Sequence, residues 1–139
     1  MAYYILKSYK LDFPVIKIFE VLSRQKNCFF LDSSLNSSTL GRFSFLGADP
    51  FFVLKVDKEN PFRLMRELFR HFQTSLPAKG IPFWAGAVGY LSYDLGFRLE
   101  ESVKKINKPD AGPPDCVFGF YNSAIIVDHY KHIKNRLHT

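Results

Sequence analysis

Apolar residues recur along this chain in two rhythms, and the switching between them predicts a mixed architecture. Short apolar runs bounded by turn formers predict strands at 3–9, 28–33, 42–46, 51–56 and 84–91. A last pair of runs, 116–121 and 124–130, flanks Asn122-Ser123, a polar step that reads as a hairpin turn. Val15, Ile18, Phe19 and Leu22 recur instead at helical spacing behind Pro14, with Asp12 or Phe13 as the cap. Asn60-Pro61 opens a second helix. Phe62, Met65, Leu68, Phe69 and Phe72 form its apolar face, and Arg63, Arg66 and Arg70 its outer one. A third, short helix is expected around 97–100.

Gly86 and Gly89 interrupt a strand, which predicts a bulge or the close approach of another backbone or a ligand. Residues 101–115, rich in proline and charge, read as a surface loop. Seven strand-like runs without regular β-α-β alternation favour an α+β fold. The sheet is expected to be largely antiparallel and sandwich-like, with two or three helices, in one domain over residues 1–139.

Composition narrows the class. Of 139 residues 47% are hydrophobic and 17% aromatic, including 15 Phe, so a packed core is expected rather than disorder. The net charge of +6 allows an acidic partner, but the basic residues are spread over the second helix, residues 104–108 and a tail at 131–136. A phosphate footprint would cluster on one face, so nucleic acid is not expected. Cys28 and Cys116 lack Cys-x-x-Cys spacing and read as reduced core thiols. The first ten residues lack the basic start and long apolar stretch of a signal peptide, and no run suits a membrane span. A cytoplasmic location is expected.

Most candidate chemistry yields to a simpler reading. Asp128, His129 and His132 invite a metal, yet on a strand positions 129 and 132 face opposite ways. Ser33 or Ser34 as a nucleophile would need a partnered base; no Gly-x-Ser-x-Gly elbow is present, and His71, His129, His132 and His138 show no evident pairing. Residues 86–89 lack the Gly-Lys-Ser/Thr ending of a phosphate loop. Asp94 and Glu100 bracket Arg98, which suggests a surface ion network. What remains is the corner where an apolar run ends in Leu31-Asp32-Ser33-Ser34, followed by Asn36-Ser37-Ser38-Thr39 and a second run opening Arg42-Phe43-Ser44. It reads either as a turn, which Asp and Ser favour, or as a recess for a small polar ligand. In the second reading hydroxyls and main-chain N–H groups hold amino and carboxylate groups. Arg42 then supplies positive charge, and Phe43 or Phe45 an apolar wall. An amino acid with an apolar side chain suits that mixture.

At these residues the sequence resembles a known family. Phe30-Leu31-Asp32-Ser33 with Arg42-Phe43-Ser44-Phe45-Leu46-Gly47 is similar to the N-terminal domain of the chorismate-utilising synthases, the large subunits of anthranilate synthase and aminodeoxychorismate (para-aminobenzoate) synthase. Gly86-Ala87-Val88-Gly89-Tyr90-Leu91, continuing through Asp94-Leu95-Gly96, resembles a second hallmark, and Phe118-Gly119-Phe120-Tyr121 through Asp128-His129 a third.

The resemblance implies a non-catalytic N-terminal domain, cut from a longer enzyme just where another strand should begin after His138-Thr139. Mg²⁺-dependent chorismate chemistry would sit in a C-terminal domain not included here, and ammonia would come from a glutamine amidotransferase subunit. It also implies a tryptophan site at Leu31, Asp32, Ser33, Arg42, Phe43 and Ser44. Asp32 stands where many members have the longer Glu, and with the surroundings of Asp94-Leu95-Gly96 it points to the aminodeoxychorismate branch, which serves folate synthesis. The alternatives are a tryptophan feedback sensor of anthranilate synthase and a free-standing basic binding module.

Overall fold

The computed structural model describes residues 5–33, 41–57, 59–72, 81–100, 112–129 and 133–138. Among the described residues eight strands fall in two antiparallel sheets. The first has the order β1-β8-β7-β3-β2, formed by β1 (Ile5–Lys10), β8 (Ile133–His138), β7 (Ser123–Asp128), β3 (Phe43–Gly47) and β2 (Phe29–Leu31). The second has the order β4-β6-β5, formed by β4 (Phe52–Val56), β6 (Cys116–Tyr121) and β5 (Gly86–Leu91). Helix α1 (Ile16–Leu22) and helix α2 (Phe62–His71) complete the expected α+β class, with a 3₁₀ turn (Tyr93–Leu95) running into a short α3 (Gly96–Leu99).

Aromatic burial between the sheets holds them together. Phe29 from β2, Tyr121 from β6 and Ala124 from β7 form one buried group, against which Phe45, Phe83 and Val88 pack. The Phe29 and Tyr121 rings meet edge to face at 4.7 Å, a geometry worth ~0.5–1.5 kcal/mol beyond the area it buries. Beside it Trp84 and Ile126 pack with Phe43, Phe45 and Ile81. The far face of the second sheet carries Leu54, Val56, Cys116 and Phe120 under Leu64, Met65 and Leu68 of α2 and Phe72 just beyond it. The far face of the first sheet meets α1, where Phe19 stacks on Phe30 at 5.2 Å.

The expected stripe of α1 is half-buried at Val15, Ile18, Phe19 and Leu22. Neither Asp12 nor Phe13 caps the helix; its first turn closes through the Lys17 N–H donating to the Pro14 carbonyl at 3.0 Å. On α2, Asn60 Oδ1 accepts from the Phe62 N–H at 3.0 Å, as the Asn-Pro start predicts. The buried face is turned slightly from the expected one: Leu64 joins it, while Phe62 and Phe69 remain 41% and 46% exposed. Gly89 lies against the Val117 carbonyl of β6, leaving no room for a Cβ, and Gly86 has φ +138°. The close backbone approach is therefore found at Gly89, while Gly86 serves a positive φ.

Three expectations are corrected. Asn122-Ser123 is not a hairpin turn: β6 is already paired on both edges by β4 and β5, so at Asn122 the chain leaves for the other sheet as β7. Residues 133–136 are not a tail; with 137 and 138 they form β8, which pairs with both β7 and β1. Asp115 is no part of a surface loop. It is fully buried, its carboxylate accepts from Ser92 Oγ at 2.9 Å, and its carbonyl accepts from the Ser92 N–H at 2.6 Å. Residues 112 and 113 of that proposed loop are exposed as expected; residues 101–111 lie outside the described residues, as does His132. The Arg98 side chain is likewise outside them.

Tyr121 also ties the sheets to the loop before β2, donating its hydroxyl to the Asn27 carbonyl at 2.6 Å. Burial pushes this phenol above its usual range, and Cys28 adds to the shift. The unfolded chain releases the proton near pH ~10, before the folded chain does. Stability from this site is thus complete below that pH and is lost as pH rises through the folded value. Tyr121→Phe should cost about 1 kcal/mol at pH 7 in urea unfolding and flatten the decline above pH ~10.

Candidate functional site

The candidate site is the end of the first sheet where β2, β3 and β7 stop together. Register decides its make-up. Leu31 pairs with Phe45, and Ser44 with Val127, so the residues just beyond, Asp32 and His129, stand on either side of Ser44. Strand alternation then puts Asp32, Ser44 and His129 on the α1 face with Phe30, Leu46 and Val127. Phe43, Phe45 and Ile126 point the other way, into the core between the sheets.

Ser44 is fully buried, and its hydroxyl is the hub. Ser44 Oγ donates to Asp32 Oδ1 at 2.5 Å and lies 2.5 Å from His129 Nε2. A carboxylate only accepts, so the Ser44 proton goes to Asp32 and the imidazole must donate, with its proton on Nε2. His129 Nε2 stands 4.0 Å from Asp32 Oδ1, and the two side chains are 39% and 50% exposed. The outer half of the Asp32 carboxylate can therefore meet a cation from solvent.

Arg42 is engaged elsewhere. Its Nε and Nη2 donate to the two Asp128 oxygens at 3.0 and 2.6 Å, and its guanidinium lies 4.7 Å over the Phe43 ring. The Asp128 side chain is only 6% exposed. The His129 N–H donates to the Arg42 carbonyl at 2.9 Å, joining the ends of β3 and β7. With Arg42 paired to Asp128, the formal charge left at the corner among the described residues is that of Asp32. Electrostatically the corner suits an ammonium better than a carboxylate.

Of the six residues expected from sequence, Asp32 and Ser44 touch directly. Arg42 and Phe43 form a stacked pair next to them. Leu31, 48% exposed, points away from the hub, and Ser33 is exposed at the strand end. Ser34 and the hydroxyl-rich run 36–39 lie outside the described residues. The expectation that the histidines lack pairing is overturned at His129, which bonds Ser44. The sequence presents Asp128 and His129 as metal candidates and as part of the third hallmark, but not as partners of Ser44; the overlooked signal is an Asp-His step closing an apolar strand. Among the described residues no three His, Cys, Asp or Glu side chains form a metal-holding group.

Comparison with known proteins gives a consistent result. The chain is 30% identical over 144 residues to anthranilate synthase component 1 of Acetivibrio thermocellus, covering 88% of this chain and 28% of that protein. It is 31% identical over 130 residues to the Bacillus subtilis (strain 168) anthranilate synthase component 1, covering 82% of this chain and 25% of that one. Against aminodeoxychorismate synthase component 1 of Escherichia coli (strain K12), identity rises to 46% over 52 residues, 37% of this chain and 11% of the relative. Among solved structures, anthranilate synthase component I from Streptococcus pneumoniae TIGR4 superposes with a TM-score of 0.53 at 26% identity, covering 77% of this chain and 26% of that one. The chain thus spans about a quarter of the length of the full-length relatives it matches. No family model matches it.

Burial separates the ion pairs in value. Lys17 and Glu20 meet at 2.9 Å but are 60% and 54% exposed, so Glu20→Ala should change stability by less than ~0.5 kcal/mol. Asp128→Ala strands a guanidinium that is 31% exposed, and should cost about 2 kcal/mol in urea unfolding.

Proposed function

The chain belongs to the component I family of chorismate-utilising synthases, and from that premise we propose that it is the non-catalytic N-terminal domain of an aminodeoxychorismate synthase component I. The observation carrying this reading is the match along 88% of the chain to a component I enzyme, together with a shared fold. In this proposal the intact enzyme converts chorismate to 4-amino-4-deoxychorismate in the cytoplasm. Ammonia comes from a glutamine amidotransferase partner, and the Mg²⁺-dependent chemistry lies outside residues 1–139. The aminodeoxychorismate branch is favoured by the 46% identical segment and by Asp32 in place of the longer acid.

A second reading, the same domain in an anthranilate synthase, is favoured by alignments that run along most of the chain. The product separates the two. Intact enzyme given chorismate and ammonium should yield 4-amino-4-deoxychorismate; accumulation of anthranilate would transfer the assignment to the second branch. Residues 1–139 alone should turn over no chorismate.

The domain's own role in this proposal is to offer an amino-acid recess at Asp32, Ser33 and Ser44, with tryptophan as the ligand. Asp32 receives the ammonium, and Arg42 with Phe43 forms the rigid flank. A ligand at 100 times its dissociation constant adds ~2.7 kcal/mol to stability, a rise of several degrees in melting temperature. Tryptophan should produce that rise in the intact enzyme, and Ser33→Ala should reduce it. A flat melting curve up to millimolar tryptophan would remove the recess from the proposal.

A further inference from the structure

The hydroxyl of Ser44 carries one proton and could offer it in several directions. Its oxygen is closed off on one side by His129 Nε2 and on the other by Asp32 Oδ1, both at 2.5 Å. Because the imidazole donates to that oxygen, the Ser44 proton is committed to Asp32. The commitment matters because Asp32 lies just past the end of β2, half-exposed, and among the described residues its carboxylate is held by this bond and the 4.0 Å approach of His129. A carboxylate fixed on one oxygen offers the other in a set direction, which is how a supporting donor sharpens a ligand contact. The main chain that carries the ring is well anchored. His129 is attached to β3 through its N–H bond to the Arg42 carbonyl, and the neighbouring Asp128 is clamped by both arms of Arg42.

We propose that His129 is a positioning residue of the recess: through Ser44 it orients the Asp32 carboxylate toward the α-ammonium of an amino acid ligand, and so sets selectivity for the amine. This inference rests on the amino-acid recess proposed above. His129 touches no ligand in it, and acts only through the serine. Among the described residues the other charges at the corner, Arg42 and Asp128, pair with each other and add little competing pull on the ammonium.

The test compares two ligands by calorimetry on the intact enzyme: tryptophan, and indole-3-propionate, which has the same ring and carboxylate but no amine. The wild type should prefer tryptophan. His129→Phe keeps a ring but has no donor, and should weaken tryptophan about tenfold while leaving indole-3-propionate nearly unchanged, since loss of a hydrogen bond serving a charged group is worth about that factor. His129→Gln, whose amide can reach Ser44, should restore most of the preference. If His129→Phe does not fold, His129→Asn, too short to reach Ser44, takes its place. Equal weakening of both ligands, or none, overturns the role of His129 while leaving the recess standing. A wild type that binds neither ligand overturns the recess and this inference together.

Discussion

The antiparallel register of β3 between β2 and β7 is the constraint on which the rest depends. A slip of one residue would turn Ser44 into the space between the sheets and Phe45 out of it, exchanging a hydroxyl for a ring in an aromatic core. The cost of leaving that hydroxyl without partners, added to the lost burial of Phe45, sets this register firmly. The same alternation delivers Asp32 and His129 to Ser44 from neighbouring strands. Packing and site are therefore consequences of one alignment.

The two sheets are held in relation by a chain crossing as well as by packing. β6 and β7 are nearly continuous, separated only by Asn122, yet they belong to different sheets. Tyr121 and Ala124, on either side of the crossing, are both buried in the same aromatic group. The β7 strand that emerges carries Asp128 and His129 to the corner. The corner is thus tied through β7 to the packing between the sheets.

Much of this was legible in the sequence. Residues 42–46 and 51–56 alternate or run apolar between turn formers and became β3 and β4 within one residue at each end, and Val15, Ile18, Phe19 and Leu22, at helical spacing, became the inner side of α1. Gly89 announced a close backbone, and the acid-and-hydroxyl corner at Asp32 and Ser44 was visible as a strand end. Partnership was not legible. Nothing local to Asn122 says that both edges of β6 are taken. The apolar positions Ile133 and Leu137 of β8 are diluted by Lys134 and Arg136, so charge hid a strand. Asp115 looked like a loop residue because its partner, Ser92, is distant in sequence. His129 was missed for the same reason: its bond to Ser44 spans 85 positions.

Nitrogen NMR of the His129 ring, through long-range couplings that distinguish the two nitrogens, addresses the central arrangement most directly. The account predicts a proton on Nε2, hydrogen-bonded to Ser44 Oγ, and a change in that resonance when Ser44 is replaced by alanine. A neutral ring protonated on Nδ1 alone, or an Nε2 signal indifferent to Ser44→Ala, would contradict it.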